Sequence, residues 1–331
     1  MTKKLKKTIK INFKYFYEGF NPEDNFFTNL LRKNYNVIIT EDADYVFFSV
    51  YGEGPKNIGE IGDKIKKISP ILYRFLRKLY EKLYAQKTPE LKESKKKVVR
   101  IFWSLESQKP EMSKCDWAFS YPYEEEINHP NYMRLPEYLL YGAGKNLVKD
   151  KDYVKRLRKQ KTRFCNFIYS QDVDGRNNLF KKLNKYKRVD APGRCMNNMP
   201  QISSSSPRDS RDSHDWVKTK LNFMKNYKFT IASENQIIPG YTDEKIYHAM
   251  LAGTIPIYYG NPLVNLDFNT KSFINCNDFK NFDEVVKKVI ELDKNDKLYE
   301  AMLSQPWYHN NNPSEYVNLK RIEQRFKAIF R

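Results

Sequence analysis

Cysteine, glycine and histidine are all scarce in this sequence, and long apolar runs are missing. Four cysteines in 331 residues, Cys115, Cys165, Cys195 and Cys276, lie far apart with no C-x-x-C pair. That spacing argues against a zinc knuckle and a disulfide scaffold and fits a reducing compartment. The 12 glycines form no collagen-like period and no glycine-rich linker. His129, His214, His248 and His309 show no metal-ligand spacing, so His248 reads as a structural or surface residue. No run of about 18 apolar residues occurs, and the basic start MTKKLKKTIK leads into no apolar segment of about 7 to 15 residues. Neither a membrane span nor a secretory signal is expected. The N-x-S triplet at Asn312 has proline in the middle and is no glycosylation acceptor. A cytoplasmic location is the resulting expectation.

What the chain does have is positive charge and aromatic side chains. Lys and Arg number 59 against 40 Asp and Glu, a formal net charge of +19, which favours phosphorylated ligands and anionic membrane surfaces. An AT-rich coding bias would give the same excess of Lys, Asn, Ile, Tyr and Phe, so charge alone constrains partners loosely. No RNA-binding or zinc-finger pattern accompanies it, and nucleic acid is not expected as a partner. Forty per cent hydrophobic residues, 15% of the chain being aromatic, supply ample core.

The length exceeds what one core usually fills, and short strand-like and helix-like pieces alternate, so two α/β domains with parallel sheets are expected. The charged stretch YGAGKNLVKDKDYVKRLRKQK, from Tyr141 to Lys161, places the boundary near residue 150, giving domains 1–150 and 151–331. Within the first, a helix from Pro70 to about residue 85 carries an apolar stripe with Arg74, Arg77, Lys78 and Lys82. It suits peripheral contact with an anionic membrane or docking of an acceptor, and equally plain packing on its own domain. Within the second, the serine-rich stretch 200–215 reads as a loop or insertion.

The chemistry concentrates in SENQIIPGYTDEKIYHAMLAGTIPIYYG, Ser233 to Gly260. Thr242 has the character of an N-cap for a helix from Asp243 to Ala252, and Gly253 stands where a left-handed residue closes a helix. Lys245 in the first turn opposes the helix dipole, at a cost of up to about 1 kcal/mol. A lysine beside backbone N–H groups at a helix start describes an anion site. Gly240 lets the chain turn close to a ligand, Tyr241 adds a hydroxyl, and Glu244 suits ribose hydroxyls rather than a phosphate. Read without a ligand, Asp243 and Glu244 are ordinary helix-start acids and Lys245 is a solvated side chain.

The order of motifs resembles the alpha-1,3-fucosyltransferase family. Its donor pattern of Y-K-F, F-E-N, G-Y-x-T-E-K-I and T-I-P-I-Y-x-G-x-P corresponds to YKFTIASENQIIPGYTDEKIYHAMLAGTIPIYYGNP, Tyr227 to Pro262, with departures at Ser233 and Asp243. Upstream, Arg163 to Arg194 is similar to the family's Arg-initiated helix and Y-K-x-V-D-x-G-G-R stretch, with Pro192 replacing a glycine. RIFWSLES, Arg100 to Ser107, is similar to the motif ending in a catalytic Glu, and NYMRLPEYLLY to the family's next segment. The likeness covers about residues 95 to 262.

The resemblance implies a GT-B architecture, two Rossmann-like domains facing a cleft, the first binding acceptor and the second GDP-fucose. The reaction would be inverting transfer of L-fucose to a hydroxyl of an N-acetylglucosamine or glucose unit in an oligosaccharide or glycoconjugate. By resemblance Glu106 is the general base. Arg176 and Lys245 contact the β-phosphate, Asn235 and Tyr241 donate hydrogen bonds, and Glu244 holds the ribose. Trp103, Ser107, Tyr169 and Ser170 are candidates for the pocket wall, although a core tryptophan fits Trp103 equally well. No metal and no cofactor beyond the GDP-fucose donor is expected. Two rivals stand beside this reading. One is a metal-dependent glycosyltransferase using Asp42 with Asp44, or Asp172 with Asp174. The other is a non-catalytic carbohydrate-binding protein with a transferase fold.

Overall fold

The structure, a computed structural model, describes residues 6–17, 19–51, 69, 72, 97–142, 144–202 and 214–331. The basic helix expected at Pro70 and most of the serine-rich stretch lie outside the described residues. The chain forms two compact units, Met1–Leu135 with Leu319–Arg331, and Pro136–Asn318. The observed division therefore comes before the charged stretch on which the expected boundary rested.

The first unit contains β1 (Thr8–Lys14), α1 (Phe26–Arg32), β2 (Asn36–Ile39), β3 (Tyr45–Phe48), β4 (Val99–Trp103), β5 (Trp117–Ser120), α2 (Glu124–Ile127) and β6 (Tyr132–Arg134). Its six strands pair in parallel in the order β2-β1-β3-β4-β5-β6. The runs YVFF and RIFW are continuous rather than alternating because a central parallel strand is covered on both faces; Phe47, Phe48, Ile101 and Phe102 are all fully buried. The Asn25 side chain caps α1 by accepting from the Thr28 N–H at 3.1 Å. A C-terminal helix, Leu319–Ile329, belongs to this unit too. Its Phe326 ring lies 5.6 Å from Phe27, and Phe330 lies 4.6 Å from Tyr45.

The second unit contains a 3-10 turn (Glu137–Tyr141), α3 (Tyr153–Arg158), β7 (Arg163–Asn166), α4 (Asp174–Tyr186), β8 (Val189–Asp190), α5 (His214–Met224), β9 (Tyr227–Ser233), α6 (Glu244–Leu251), β10 (Ile255–Tyr259), β11 (Ile274–Asn275), α7 (Phe282–Lys294) and α8 (Asp296–Ser304). The C-terminal helix is then α9. The five strands are parallel in the order β11-β10-β9-β7-β8. Both sheets are thus wound alike, with the first strand between the second and third. In such sheets ligands bind outside the carboxyl ends of the strands, where the winding reverses: β1/β3 in one unit, β7/β9 in the other. No helix among the described residues is long and apolar enough to cross a membrane.

Candidate active site

At the carboxyl end of β9 the chain runs through Glu234 and Asn235 into α6. Gly240 takes a positive φ of +81°, and its N–H donates to Asn261 Oδ1 at 2.8 Å. Asn261 Nδ2 donates to Thr242 Oγ1 at 3.0 Å, and the Thr242 hydroxyl reaches Asp267 Oδ2 at 3.3 Å. Thr242 therefore fastens the loop instead of capping the helix. Asp243 holds the N-cap position without a side-chain cap bond, and its own N–H is taken by Glu234 Oε1 at 3.1 Å. The other end of the helix matches the sequence expectation. Gly253 has φ +66°, its N–H bonds Met250 O at 2.9 Å, and the Thr254 N–H bonds Ala249 O at 3.0 Å, the paired bonds of a Schellman motif.

The first turn of α6 is a buried ion cluster. Lys245 Nζ lies 2.5 Å from Asp243 Oδ2, 3.2 Å from Glu234 Oε2 and 3.6 Å from Glu244 Oε2, with a side chain only 14% exposed. This excludes the solvated-lysine reading. Burial opposes the Lys245 charge, but Asp243, Glu244 and Glu234 outweigh it and raise the ammonium above its ordinary range. Glu234 is raised for the complementary reason: burial first, then the neighbouring Asp243 and Glu244 charges, with Lys245 opposing. For Glu244 burial acts upward, yet Lys245 and Lys220 hold it below the usual carboxylate range.

Arg176, in the first turn of α4, is not the surface arginine that its sequence position suggests. It is 1% exposed, donates from Nη2 to Asn235 Oδ1 at 2.9 Å and from Nη1 to Ser233 O at 3.5 Å, and lies over the Tyr169 ring at 4.2 Å. Tyr169 braces the end of β9. Its hydroxyl donates to Ile231 O at 2.9 Å and accepts from the Ser233 N–H at 2.6 Å, and burial pushes the phenol up to about 12. Ser170 beside it is half-buried, Asn235 is exposed and Tyr241 is buried. Three polar atoms around this cluster, Arg176 Nε, Asp243 Oδ1 and His248 Nε2, are buried without a hydrogen bond, and Glu234 Oε2 has its ion pair with Lys245 in place of one. Native interiors leave few such atoms unsatisfied, so their gathering marks a place prepared for a ligand or ordered water.

In the first unit Glu106 lies just past β4. It is exposed; its carboxylate accepts from the Tyr51 hydroxyl, and its N–H donates to Ser104 Oγ at 3.1 Å. Trp103 is not a sugar-facing wall. It is 4% exposed, packed against Phe27 at 4.6 Å, Phe16 at 5.3 Å and Phe20 at 6.1 Å, because those aromatics converge on the end of β4. Ser107 is half-buried, and its carbonyl accepts from the Tyr121 hydroxyl at 3.1 Å.

Neither D-x-D pair gathers into a metal-ligating group among the described residues. Asp42 pairs with Lys10 at 3.2 Å, and Asp172 accepts from Asn177. The one carboxylate grouping found there is Glu137, Asp243 and Glu244, with ligand atoms within 4.8 Å of one another. Lys245 already supplies that grouping with a cation, since its ammonium touches two of the three. The residues to which the sequence assigned no chemistry are Glu234, Lys220 and His248. Glu234 is the acid of the S-E-N triplet matched to the family's F-E-N, Lys220 gives no local signal, and His248 is distinguished only by its place on the buried face of α6.

The model of glycosyltransferase family 10 (fucosyltransferase), C-terminal part, matches residues 157–325, and that of the alpha-(1,3)-fucosyltransferase FucT N-terminal domain matches residues 11–61. A putative fucosyltransferase of Acanthamoeba polyphaga mimivirus is 34% identical over 48% of this chain and 26% of its own length. The alpha-(1,3)-fucosyltransferase FucT of Helicobacter pylori is 42% identical over 34% of this chain and 24% of its own. The chain thus spans about a quarter of the length of these relatives. A crystal structure of an alpha1,3-fucosyltransferase with GDP-fucose superposes with a TM-score of 0.70, covering 99% of this chain and 92% of that one at 22% identity, which shows the shared GT-B fold. Because the C-terminal family model matches more than half of its residues, the chain belongs to glycosyltransferase family 10, the fucosyltransferases.

Proposed function

We propose that the chain transfers L-fucose from GDP-fucose to a hydroxyl, O3 by preference, of an N-acetylglucosamine or glucose unit in a glycan, with inversion at the transferred carbon. The observation that carries this reading is the pair of cations, buried Arg176 and half-buried Lys245, beside the carboxyl end of β9 and in the first turn of α6, amid buried polar atoms without hydrogen bonds. Two fixed cations and a helix start suit a diphosphate whose negative charge grows as it leaves. Arg176 offers a planar fork and Lys245 a point charge. Glu244, kept ionised by Lys245 and Lys220, can only accept, so it takes ribose hydroxyls. Asn235 and Tyr241 add polar contacts to the diphosphate.

Glu106 supplies the base. Its carboxylate removes the acceptor hydroxyl proton as that oxygen forms the new bond to the fucose carbon, while the bond from that carbon to the GDP oxygen breaks on the opposite face. The electron pair of the broken bond leaves on GDP, where Arg176 and Lys245 offset it. The first unit then serves the acceptor and the second the donor. Incubation with GDP-fucose and a panel of N-acetylglucosamine- and glucose-containing oligosaccharides, with and without a chelator, tests this. A fucosylated product with an α1,3 bond, formed equally in chelator, is expected. No transfer and no GDP release would refute the reading, and loss of activity in chelator would favour a metal at Glu137, Asp243 and Glu244.

A further inference from the structure

Helix α5 brings a charge to the donor site from outside the motif. Lys220 is 8% exposed, an uncommon burial for a lysine, and its Nζ lies 3.2 Å from Glu244 Oε1 and 3.2 Å from His248 Nδ1. A charged ammonium can only donate, so His248 Nδ1 must accept, which places the imidazole proton on Nε2. The groups facing that ring are Lys220 from α5, Glu244, Lys245 and Tyr247 from α6, and Tyr141 from the 3-10 turn, whose ring stands edge-on at 5.0 Å; Glu137 of the same turn faces Glu244. Burial, then Lys220 and Lys245, pushes the imidazole down to about 3 against the pull of Glu244. The ring is therefore neutral, and it fills the space beside the lysine without competing for Glu244.

Glu244 thus stands between two ammonium groups, Lys220 at 3.2 Å on one oxygen and Lys245 at 3.6 Å on the other. Lys245 is shared by two further carboxylates, Asp243 and Glu234. With Lys220 gone, Glu244 would have Lys245 as its one strong partner and would draw on the same ammonium that the diphosphate requires.

We propose that Lys220 is a positioning residue of the donor site: by holding Glu244 and His248 from α5, it fixes the ribose-binding carboxylate and leaves the Lys245 charge for the diphosphate. This rests on the donor reading of Glu244 and Lys245. The test compares wild type, Lys220→Met and Lys220→Arg by calorimetric titration with GDP, thermal unfolding, and imidazole nitrogen NMR from pH 5 to 8, with His248→Gln to assign the signal. Wild type is expected to show a His248 imidazole protonated on Nε2 that does not titrate in this range. In Lys220→Met the contact that holds the proton on Nε2 is gone, so the Nδ1-protonated form should appear beside it, and GDP should bind about 10- to 100-fold more weakly, the loss of a charge-assisted contact. Lys220→Arg should recover part of both. A folded Lys220→Met with wild-type GDP affinity would overturn the proposal. So would a wild-type His248 protonated on Nδ1, which needs no variant to fold. A wild type that keeps the Nε2 proton but binds no GDP would remove the donor reading, and the positioning role with it, while leaving the Lys220–His248 contact intact.

Discussion

The two units share one winding and differ in what they place beyond their strand ends. After β4 the first unit offers a single carboxylate, Glu106, exposed and held lightly by Tyr51 and a backbone bond to Ser104. After β9 the second offers a set of charges, Arg176, Glu234 and Asp243 buried and Glu244 and Lys245 half-buried, each fixed by neighbours. Two sheets of one winding thus end in two kinds of surroundings, which on the proposed reading serve two kinds of chemistry. A base must meet the proton of whatever acceptor arrives, so exposure suits it. A group that stabilises leaving-group charge works best when its orientation is settled before reaction. Fold alone therefore does not distinguish the roles; the burial of the side chains at the strand ends does.

The largest effect should come from the exposed side. Glu106→Gln keeps the shape and removes the base, so transfer should fall by about 10²- to 10⁴-fold while GDP affinity stays at the wild-type value. Rate and GDP titration measured together decide it, because a parallel loss of GDP affinity would mean that the two units are not divided in this way. Arg176→Lys tests the buried side. The fork that spans Asn235 and Ser233 is lost while a charge is kept, and turnover should drop by about 10²-fold with weaker GDP binding.

Smaller effects concern stability. Gly253→Ala forces a side chain into a left-handed residue, with its Cβ 2.5 Å from Leu157 Cδ1. A loss of roughly 1–2 kcal/mol in denaturant unfolding is expected, without change in GDP affinity for the folded protein. Glu234 gives the mildest signature. Its carboxyl is raised in the folded state by burial and by Asp243 and Glu244, so its protonated form contributes stability that is complete below the unfolded value and is lost as pH rises through the folded one. Thermal midpoints across neutral and alkaline pH should decline less steeply in Glu234→Gln than in wild type. Identical pH slopes would show that Lys245 neutralises Glu234 fully.

Much of the second unit could be read from its residues, for local reasons. Lys245 was conspicuous because a cation in a first helical turn is locally unfavourable, and Gly253 because it stands one residue past the helix. Thr242 misled because the residue type that caps a helix also serves a tertiary tie, here to Asn261 and Asp267. Trp103 could serve a sugar or a core, and only the convergence of Phe16, Phe20 and Phe27 decides for the core. Lys220 meets Glu244 across 24 residues of sequence, a pairing that no local spacing announces. The helix α9 has a clear apolar stripe, but a stripe does not name the sheet it covers. It packs on the first unit through Phe326 and Phe330, whereas a boundary drawn from composition near residue 150 groups it with the second.

The central claim is that the cluster at the start of α6 is a diphosphate site centred on Lys245. Its most direct test is a calorimetric titration of GDP into wild type and Lys245→Ala, with circular dichroism confirming that both are folded. Removing the ammonium leaves Asp243 and Glu244 to repel the ligand as well as depriving it of a partner. Wild type should bind GDP and Lys245→Ala should bind it about 100-fold more weakly or not at all. Equal affinity in the two proteins would contradict the account and return this stretch to an ordinary, internally paired helix start.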